Sequence, residues 1–254
     1  MTRVAVIAGA NDDVGPAAAV RLARGGFDVA LIDTDLTGFE ETARQIAQAG
    51  RQCVALEADC ADSTSFESAV RAAGSELGSP AVLVTGVPLG VPADLSPSLE
   101  HHIGTVRRRL RSLFVCCRAT TAHMARRKWG RVINVGLATG TGDDEWRDAQ
   151  TVLSGLIGFT RTLAVELAAF GITANYIAPR ACATNPRPRL SSAGDGTEPY
   201  SAGVAHVAEF LVDDRAGAIT GQGTYVAGWS RPPRGLDRQQ LQTSNGKWDS
   251  HVSH

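Results

Sequence analysis

The sequence has no excess of charge of either sign, and this absence excludes the simplest electrostatic partners. Its 25 Lys and Arg residues are balanced by 26 Asp and Glu residues, for a formal net charge of -1. A chain without a net positive field is not attracted as a whole to nucleic acid or to an anionic membrane. We therefore expect neither partner, and we expect recognition to depend on local groups.

Cysteine is scarce and irregularly placed. The five cysteines are odd in number and never have C-x-x-C spacing. They are Cys53, Cys60, Cys116, Cys117 and Cys182. This pattern predicts neither a disulfide framework nor a zinc ribbon. The cysteine pattern fits a reducing compartment such as the cytoplasm. The histidines His101, His102 and His123 have no second ligand set at metal spacing, so we expect no metal.

Long hydrophobic runs are also missing. The first apolar run, "VAVIA", ends at Gly9 and is too short for the core of a signal peptide. No later run reaches the roughly 20 apolar residues of a membrane helix. We expect a soluble, intracellular protein.

What the sequence does contain is an alternation of short, β-branched runs with longer helical patterns. The runs predict strands over 3–8, 28–33, 53–58, 81–85, 131–136, 172–178 and 221–228. Connections long enough for a crossover helix favour parallel pairing, with helices on both faces. The sequence therefore predicts a single α/β domain with a Rossmann-like, doubly wound parallel sheet of about seven strands.

This domain is expected to span 1–229, and 230–254 to form a polar C-terminal tail. A chain of 254 residues suits one hydrophobic core. The tail has few apolar residues, so it is ordered only if something holds it. Its Trp248 favours docking on a neighbouring subunit over free exposure.

The turn after the first strand has the glycine spacing of a dinucleotide site. Gly9 and Gly15 bracket "GANDDVG", and Asp33 ends the next strand about 20 residues on, where an acid can bind a ribose hydroxyl. At this point the chain resembles the short-chain dehydrogenase/reductase family, whose turn is Thr-Gly-x-x-x-Gly-x-Gly. Ala8 replaces the Thr, and Asp13 replaces the middle Gly with a carboxylate that would repel phosphates.

The resemblance implies cofactor-binding roles that this chain keeps only in part. Gly9, Gly15 and Asp33 match the family's turn and strand end. Asp59 matches an Asp that meets the adenine, and Thr184 matches a Thr that contacts the nicotinamide amide. The resemblance thus implies a vestigial site that holds no cofactor, or NAD only weakly. The alternative is that the glycines merely shape a tight strand-to-helix turn.

The same resemblance, collinear from residue 3 to about 228, places four family positions on residues with different chemistry. The Ser that bonds the substrate carbonyl falls at Leu137, the Tyr at Ala149, the Lys at Leu153, and the helix Asn at Arg109. A Tyr with a pKa of about 10 needs an adjacent cation to transfer protons near neutrality. Ala149 and Leu153 supply neither group, so the resemblance implies a pseudoenzyme without catalytic residues.

Two other functions stay open at this point. Asp143, Asp144, Glu145 and Asp148 could divide acid and base roles in a lyase, isomerase or cyclase. A solvated acidic loop at the start of a helix explains the same residues. Alternatively, Asp33 and Asp59 could serve a nucleotide-sensing regulator without turnover.

The sequence keeps the apolar pattern that is expected of a subunit interface. The pattern of 149–170 is apolar almost all round, which predicts a helix buried on every side. In the family, this helix and the one before it, at about 99–126, form the subunit interface. Hetero-oligomeric members combine an inactive chain with an active one. Among these proteins, the chain most resembles the inactive subunit of an NAD-dependent dehydrogenase of anaerobic toluene degradation. That dehydrogenase oxidises a 2-(hydroxybenzyl)succinyl-CoA-type hydroxyacyl-CoA. We expect a heterotetramer in which a homologous active subunit carries the NAD.

Overall fold

Seven strands run parallel through the centre of the protein. The computed structural model describes residues 3–9, 11, 13–89, 99–137, 145–179 and 200–226, without the side chains of 99 and 145–148. The strands are β1 (Arg3–Ala8), β2 (Phe27–Asp33), β3 (Cys53–Glu57), β4 (Pro80–Pro88), β5 (Gly130–Leu137), β6 (Ile172–Pro179) and β7 (Gly223–Val226). They pair in the order β3-β2-β1-β4-β5-β6-β7. The predicted doubly wound sheet is confirmed, and the largest difference is β4, which extends beyond 81–85 at both ends.

Helices cover both faces of this sheet, because parallel strands need a crossover connection between them. One layer consists of α1 (Val14–Arg24), α2 (Phe39–Gln48) and α6 (Tyr200–Val212). The other layer consists of α3 (Ser63–Glu76), α4 (Leu99–Arg127) and α5 (Glu145–Leu167). Single 3-10 turns follow α5 and α6, at Ala168–Phe170 and Asp214–Ala216.

The strand side chains alternate between these two layers. In β1, Ala5 and Ile7 join the core under α1, whereas Val6 and Ala8 join the core under α4. All four are buried. This two-sided burial explains why the strands read as continuous apolar runs rather than as alternating patterns.

The helix α5 does not meet the expectation of burial on every side. Val152 and Leu156 are buried, but Val165 is 80% exposed in the single chain. By length and composition alone, Ala149–Phe170 is apolar enough to cross a membrane, although 33% of its apolar window is buried within the fold. A sheet-covering helix of a soluble protein passes the same test, so this is weak evidence for a membrane span.

The strand order places one crevice at the middle of the sheet. The chain builds outward from β1 in one direction through β2 and β3, then returns to add β4 on the other side of β1. Helices on opposite faces therefore diverge at the carboxyl ends of β1 and β4. In doubly wound sheets, ligands bind at such a switch point.

Candidate functional site

A crevice of about 570 Å³ opens at the carboxyl ends of β1 to β5. It brings together five residues that the sequence singled out: Gly9, Asp33, Asp59, Arg109 and Leu137. Gly15 lies buried in α1 beside the crevice. Thr184 lies outside the described residues. The residues at or just after strand ends could be grouped from the sequence, because the carboxyl ends of parallel strands meet at one edge of a sheet. Arg109 lies instead on α4.

Gly9 has a requirement that only glycine meets easily. Its φ is +65°, and a Cβ built there would lie 3.0 Å from the carbonyl oxygen of Gly86 on β4. Its N–H donates to the carbonyl of Ile32 at 3.1 Å. Gly9 therefore lets the turn after β1 pass close to both neighbouring strands, whether or not a cofactor binds.

Asp13 precedes α1 at the point where a helix N-terminus could meet a phosphate. Its φ of −68° is an ordinary conformation, so the glycine of the family is not needed by the backbone here. The Asp13 side chain is exposed and caps no backbone N–H. A carboxylate in this position already satisfies the positive end of the helix dipole and disfavours a second anion.

Asp33, at the end of β2, is engaged by its own turn. Its Oδ2 accepts a hydrogen bond from the N–H of Asn11 at 3.2 Å. Its Oδ1 accepts from the N–H of Thr34 at 2.7 Å and from that residue's hydroxyl at 3.2 Å. The carboxylate thus ties the turn after β1 to the turn after β2, a structural role that does not require a ribose.

Asp59, which follows β3, is held by an ion pair across the crevice. Its Oδ2 lies 2.8 Å from Nη2 of Arg108 on α4, and its Oδ1 accepts from the N–H of Ala61 at 2.8 Å. Partial burial raises the pKa of this carboxyl, but the Ala61 and Arg108 contacts outweigh burial and bring the pKa below its ordinary value. Arg111 adds a second link, donating from Nε to the Ala61 carbonyl at 2.7 Å.

At the other end of the crevice, here called the catalytic end because the family resemblance places the catalytic residues there, Leu137 and Arg109 line the wall. Leu137, at the end of β5, is 3% exposed, and on α5 Ala149 and Leu153 are 5% and 3% exposed. Ala149 and Leu153 belong to one apolar cluster. Its other buried members are Val87, Leu89, Leu113, Val152, Leu156, Tyr176 and Ala178. Leu137, Ala149 and Leu153 are therefore part of the hydrophobic core, and none of these three side chains can transfer a proton.

Two polar features near this end were not anticipated from the sequence. A buried chain runs from the Thr85 hydroxyl to Oδ1 of Asn134 at 2.9 Å, and from Nδ2 of Asn134 to the Thr160 hydroxyl at 2.9 Å. The Tyr200 hydroxyl donates to the carbonyl of Gly136 at 2.9 Å. These partners lie 26 to 64 residues apart, so no local pattern signals them.

The alternative acid–base residues fall outside this description. Asp143 and Asp144 lie outside the described residues, and the side chains of Glu145 and Asp148 are likewise undescribed. Among the described residues no group of His, Cys, Asp and Glu is arranged to hold a metal ion. His123 instead hydrogen-bonds Ser79 at 3.1 Å, and burial together with nearby arginines lowers its pKa.

Comparison with known proteins gives the family. The short chain dehydrogenase family model matches residues 3–193. The chain belongs to this family. A curated short-chain dehydrogenase, the family member NovK of Streptomyces niveus, is 47% identical over 234 residues, covering 89% of this chain and 96% of NovK. Among solved structures, acetoin dehydrogenase from Enterobacter cloacae has a TM-score of 0.74 at 23% identity, covering 90% of this chain and 96% of that one.

More distant short-chain dehydrogenases bear on the toluene-pathway resemblance. The subunit BbsD of (2S)-[(R)-hydroxy(phenyl)methyl]succinyl-CoA dehydrogenase from Thauera aromatica is 28% identical, with 89% of this chain and 95% of BbsD covered. The 3-oxoacyl-[acyl-carrier-protein] reductase of Synechocystis is 29% identical, with 89% and 96% covered. Sequence identity therefore does not favour BbsD over other members of the family.

Short-chain dehydrogenases usually bind NAD or NADP, and the described crevice fits such a cofactor only in part. Gly9 and Asp33 give the turn the required shape. The Asp13 carboxylate would repel the phosphates of a dinucleotide. The Asp59 carboxylate is already in an ion pair with Arg108. No catalytic step through a cofactor follows from these residues.

Proposed function

We propose that this chain is a non-catalytic subunit that pairs with an active NAD-dependent short-chain dehydrogenase and supports it in the cytoplasm. The observation that carries this proposal is the apolar catalytic end, where Leu137, Ala149 and Leu153 are all buried. General acid–base catalysis contributes about 10²- to 10⁴-fold to such reactions, and these side chains cannot supply it. On this proposal the NAD used in the reaction is held by the partner.

The pairing surface proposed for this subunit lies on α4 and α5. Phe114 is 56% exposed although its ring packs edge-on against Phe159, with centroids 6.1 Å apart. Ile103 and Val165 are also exposed. Gly155 packs against Leu110, which brings the two helices close together, whereas Gly158 faces open space. An exposed apolar patch with room for close approach supports a role in assembly.

The charges around this patch favour a partner that is not a second copy. Among the described side chains of α4, exposed arginines outnumber the one exposed carboxylate, Glu100. These arginines are Arg107, Arg108, Arg111, Arg118, Arg126 and Arg127. On α5 the exposed charges balance, with Arg161 and Glu166. A two-fold interface places a surface against itself, so arginines would meet arginines. A homologous chain with carboxylates at the facing positions would complement them.

The names of two relatives suggest the substrate class of the partner. The relatives from Thauera aromatica and Synechocystis are named for a hydroxy-substituted acyl-CoA and a 3-oxoacyl group on a carrier protein. Both are oxygenated acyl thioesters. We propose that the partner interconverts the hydroxyl and ketone of an acyl thioester, of which 2-(hydroxybenzyl)succinyl-CoA is one example.

Native mass spectrometry of the protein purified gently from its own host tests the proposal. The expected result is a stoichiometric complex with a chain of similar mass that has an intact Ser, Tyr and Lys set and is less active or less stable alone. A homo-oligomer without such a chain, or a partner fully active and stable by itself, would overturn it.

A pair of matched variants locates the pairing surface. Phe114→Asp is expected to abolish co-purification of the partner, because a carboxylate would replace the centre of the patch. Phe210→Asp changes an equally exposed phenylalanine, also at 56%, on the opposite helix layer. It should leave pairing intact. The reverse result would place the partner on α6.

A nucleotide-sensing regulator is the second candidate, favoured by the crevice and by Asp33 and Asp59 on its wall. Calorimetric titration with NADH separates it from the first candidate. Submillimolar binding without turnover would support it, and absence of binding at millimolar ligand would exclude it.

A further inference from the structure

Three cysteines gather where α4 crosses the end of β3. Cys60 follows β3, is partly exposed and lines the crevice. Cys116 and Cys117 are buried on α4. All three are free thiols, as is Cys53 on the outer strand β3. Cys116 and Cys117 also belong to the apolar core between the sheet and α4, but the proposed function uses none of the three thiols. Cys182 lies outside the described residues.

The contacts single out two of the three thiols. Sγ of Cys116 lies 3.9 Å from the carbonyl oxygen of Cys60, so the two residues are in direct contact. Sγ of Cys117 points elsewhere, to Oδ1 of Asn134 at 3.8 Å. Sγ of Cys60 also lies 4.0 Å from the Ile32 carbonyl, at the floor of the crevice.

We propose that Cys60 and Cys116 form a redox pair that closes to an intramolecular disulfide when the protein meets hydrogen peroxide. The Cys60 thiol is oxidised to a sulfenic acid, which releases one water. The Cys116 thiol then attacks that sulfur, the S–S bond forms and a second water leaves. Two thiols thus supply the two electrons that reduce one peroxide molecule.

The order of these steps follows from accessibility. Cys60 is open to the crevice, through which a small oxidant can enter. Cys116 also borders the crevice but is only 2% exposed, and burial raises the pKa of its thiol well above the ordinary value, so it is the poorer first nucleophile. It is placed to resolve a sulfenic acid that forms beside it.

The surrounding structure already holds the two cysteines together. Arg108 and Arg111, on the same helix as Cys116, bind Asp59 and the Ala61 carbonyl on either side of Cys60. Closing the disulfide would add a covalent link between α4 and the segment after β3 to these polar contacts. Oxidation would then fix the end of the crevice that Asp59 and Arg108 form.

The test uses the full chain, reduced, freed of reductant and exposed to a small excess of hydrogen peroxide. Two of the five thiols should disappear on titration, and peptide mapping should find Cys60 joined to Cys116. Dithiothreitol should restore both thiols. A disulfide that involves Cys53, Cys117 or Cys182 instead, or overoxidation of Cys60 without cross-linking, would overturn the proposal.

Variants assign the two roles. In Cys116→Ser, Cys60 should stop at a sulfenic acid that dimedone traps, whereas Cys60→Ser should lose both products. Cys53→Ser is the control and should cross-link as the parent does. Should Cys116→Ser fail to fold, the peptide map of the unsubstituted protein still decides, because it identifies the partner of Cys60 directly.

Discussion

The two ends of the crevice differ in what their side chains do for the fold. At the end formed after β2 and β3, here called the nucleotide end, Asp33 and Asp59 make hydrogen bonds and an ion pair within the protein. At the catalytic end, Leu137, Ala149 and Leu153 are buried in the apolar core. The difference shows that polar contacts stabilise one end, whereas apolar packing stabilises the other.

Placing a charge among the buried residues of the catalytic end should have the largest effect on stability. Leu153→Lys should destabilise the protein by about 3–5 kcal/mol, because an ammonium without a partner would replace a buried side chain. Chemical denaturation measures the change. Ser154→Lys, one residue further along and exposed, is the control and should change stability by less than about 0.5 kcal/mol. Equal effects would show that the catalytic end is hydrated rather than core.

The buried polar chain between the two ends gives the next largest effect. Thr160→Ala should cost about 1–3 kcal/mol, since Nδ2 of Asn134 would lose its acceptor at a fully buried position. Thr162→Ala removes a comparable hydroxyl that binds the Gly158 carbonyl at 3.1 Å but is exposed. It should be nearly neutral in the same denaturation experiment. A neutral Thr160→Ala would mean that the chain does not contribute to stability.

At the nucleotide end, Asp13 is expected to weaken the affinity for NADH. Asp13→Gly should tighten NADH binding about tenfold, or about 1.4 kcal/mol, because a carboxylate no longer faces the phosphates. Isothermal titration calorimetry measures this affinity. Asp13→Asn keeps the size and removes the charge, so it separates repulsion from crowding. Unchanged affinity in both variants would show that Asp13 does not limit cofactor binding.

The smallest expected effect concerns the Arg108 ion pair. Arg108→Ala should lower stability at pH 7 by less than about 1 kcal/mol, since the pair is largely exposed. The folded-state pKa of Asp59 is depressed, so its stabilisation is present above the unfolded pKa of about 3.9 and is lost as pH falls through the folded value. The difference between variant and parent should therefore vanish in acid. Arg118→Ala, which removes a similar exposed pair with Glu67, is the control for Asp59 titration.

Much of this architecture could be read from the sequence because strand burial leaves a local record. Runs such as 3–8 and 131–136 are apolar on both faces, and their observed bounds differ by at most one residue. Gly9, Asp33 and Asp59 could be grouped because each follows a parallel strand. The contact between Arg108 and Asp59 could not, since 49 residues separate them and the register of α4 decides it.

The doubly wound sheet and the apolar side chains at Leu137, Ala149 and Leu153 could be read from the amino-acid sequence. These properties depend on periodicity and residue type, which the chain carries locally. Tertiary packing was needed to show that Arg108 binds Asp59, that Sγ of Cys116 contacts the Cys60 carbonyl, and that Val165 is exposed whereas Val152 and Leu156 on the same helix are buried. Those outcomes depend on how distant segments meet, because a side chain's partners are set by packing between elements.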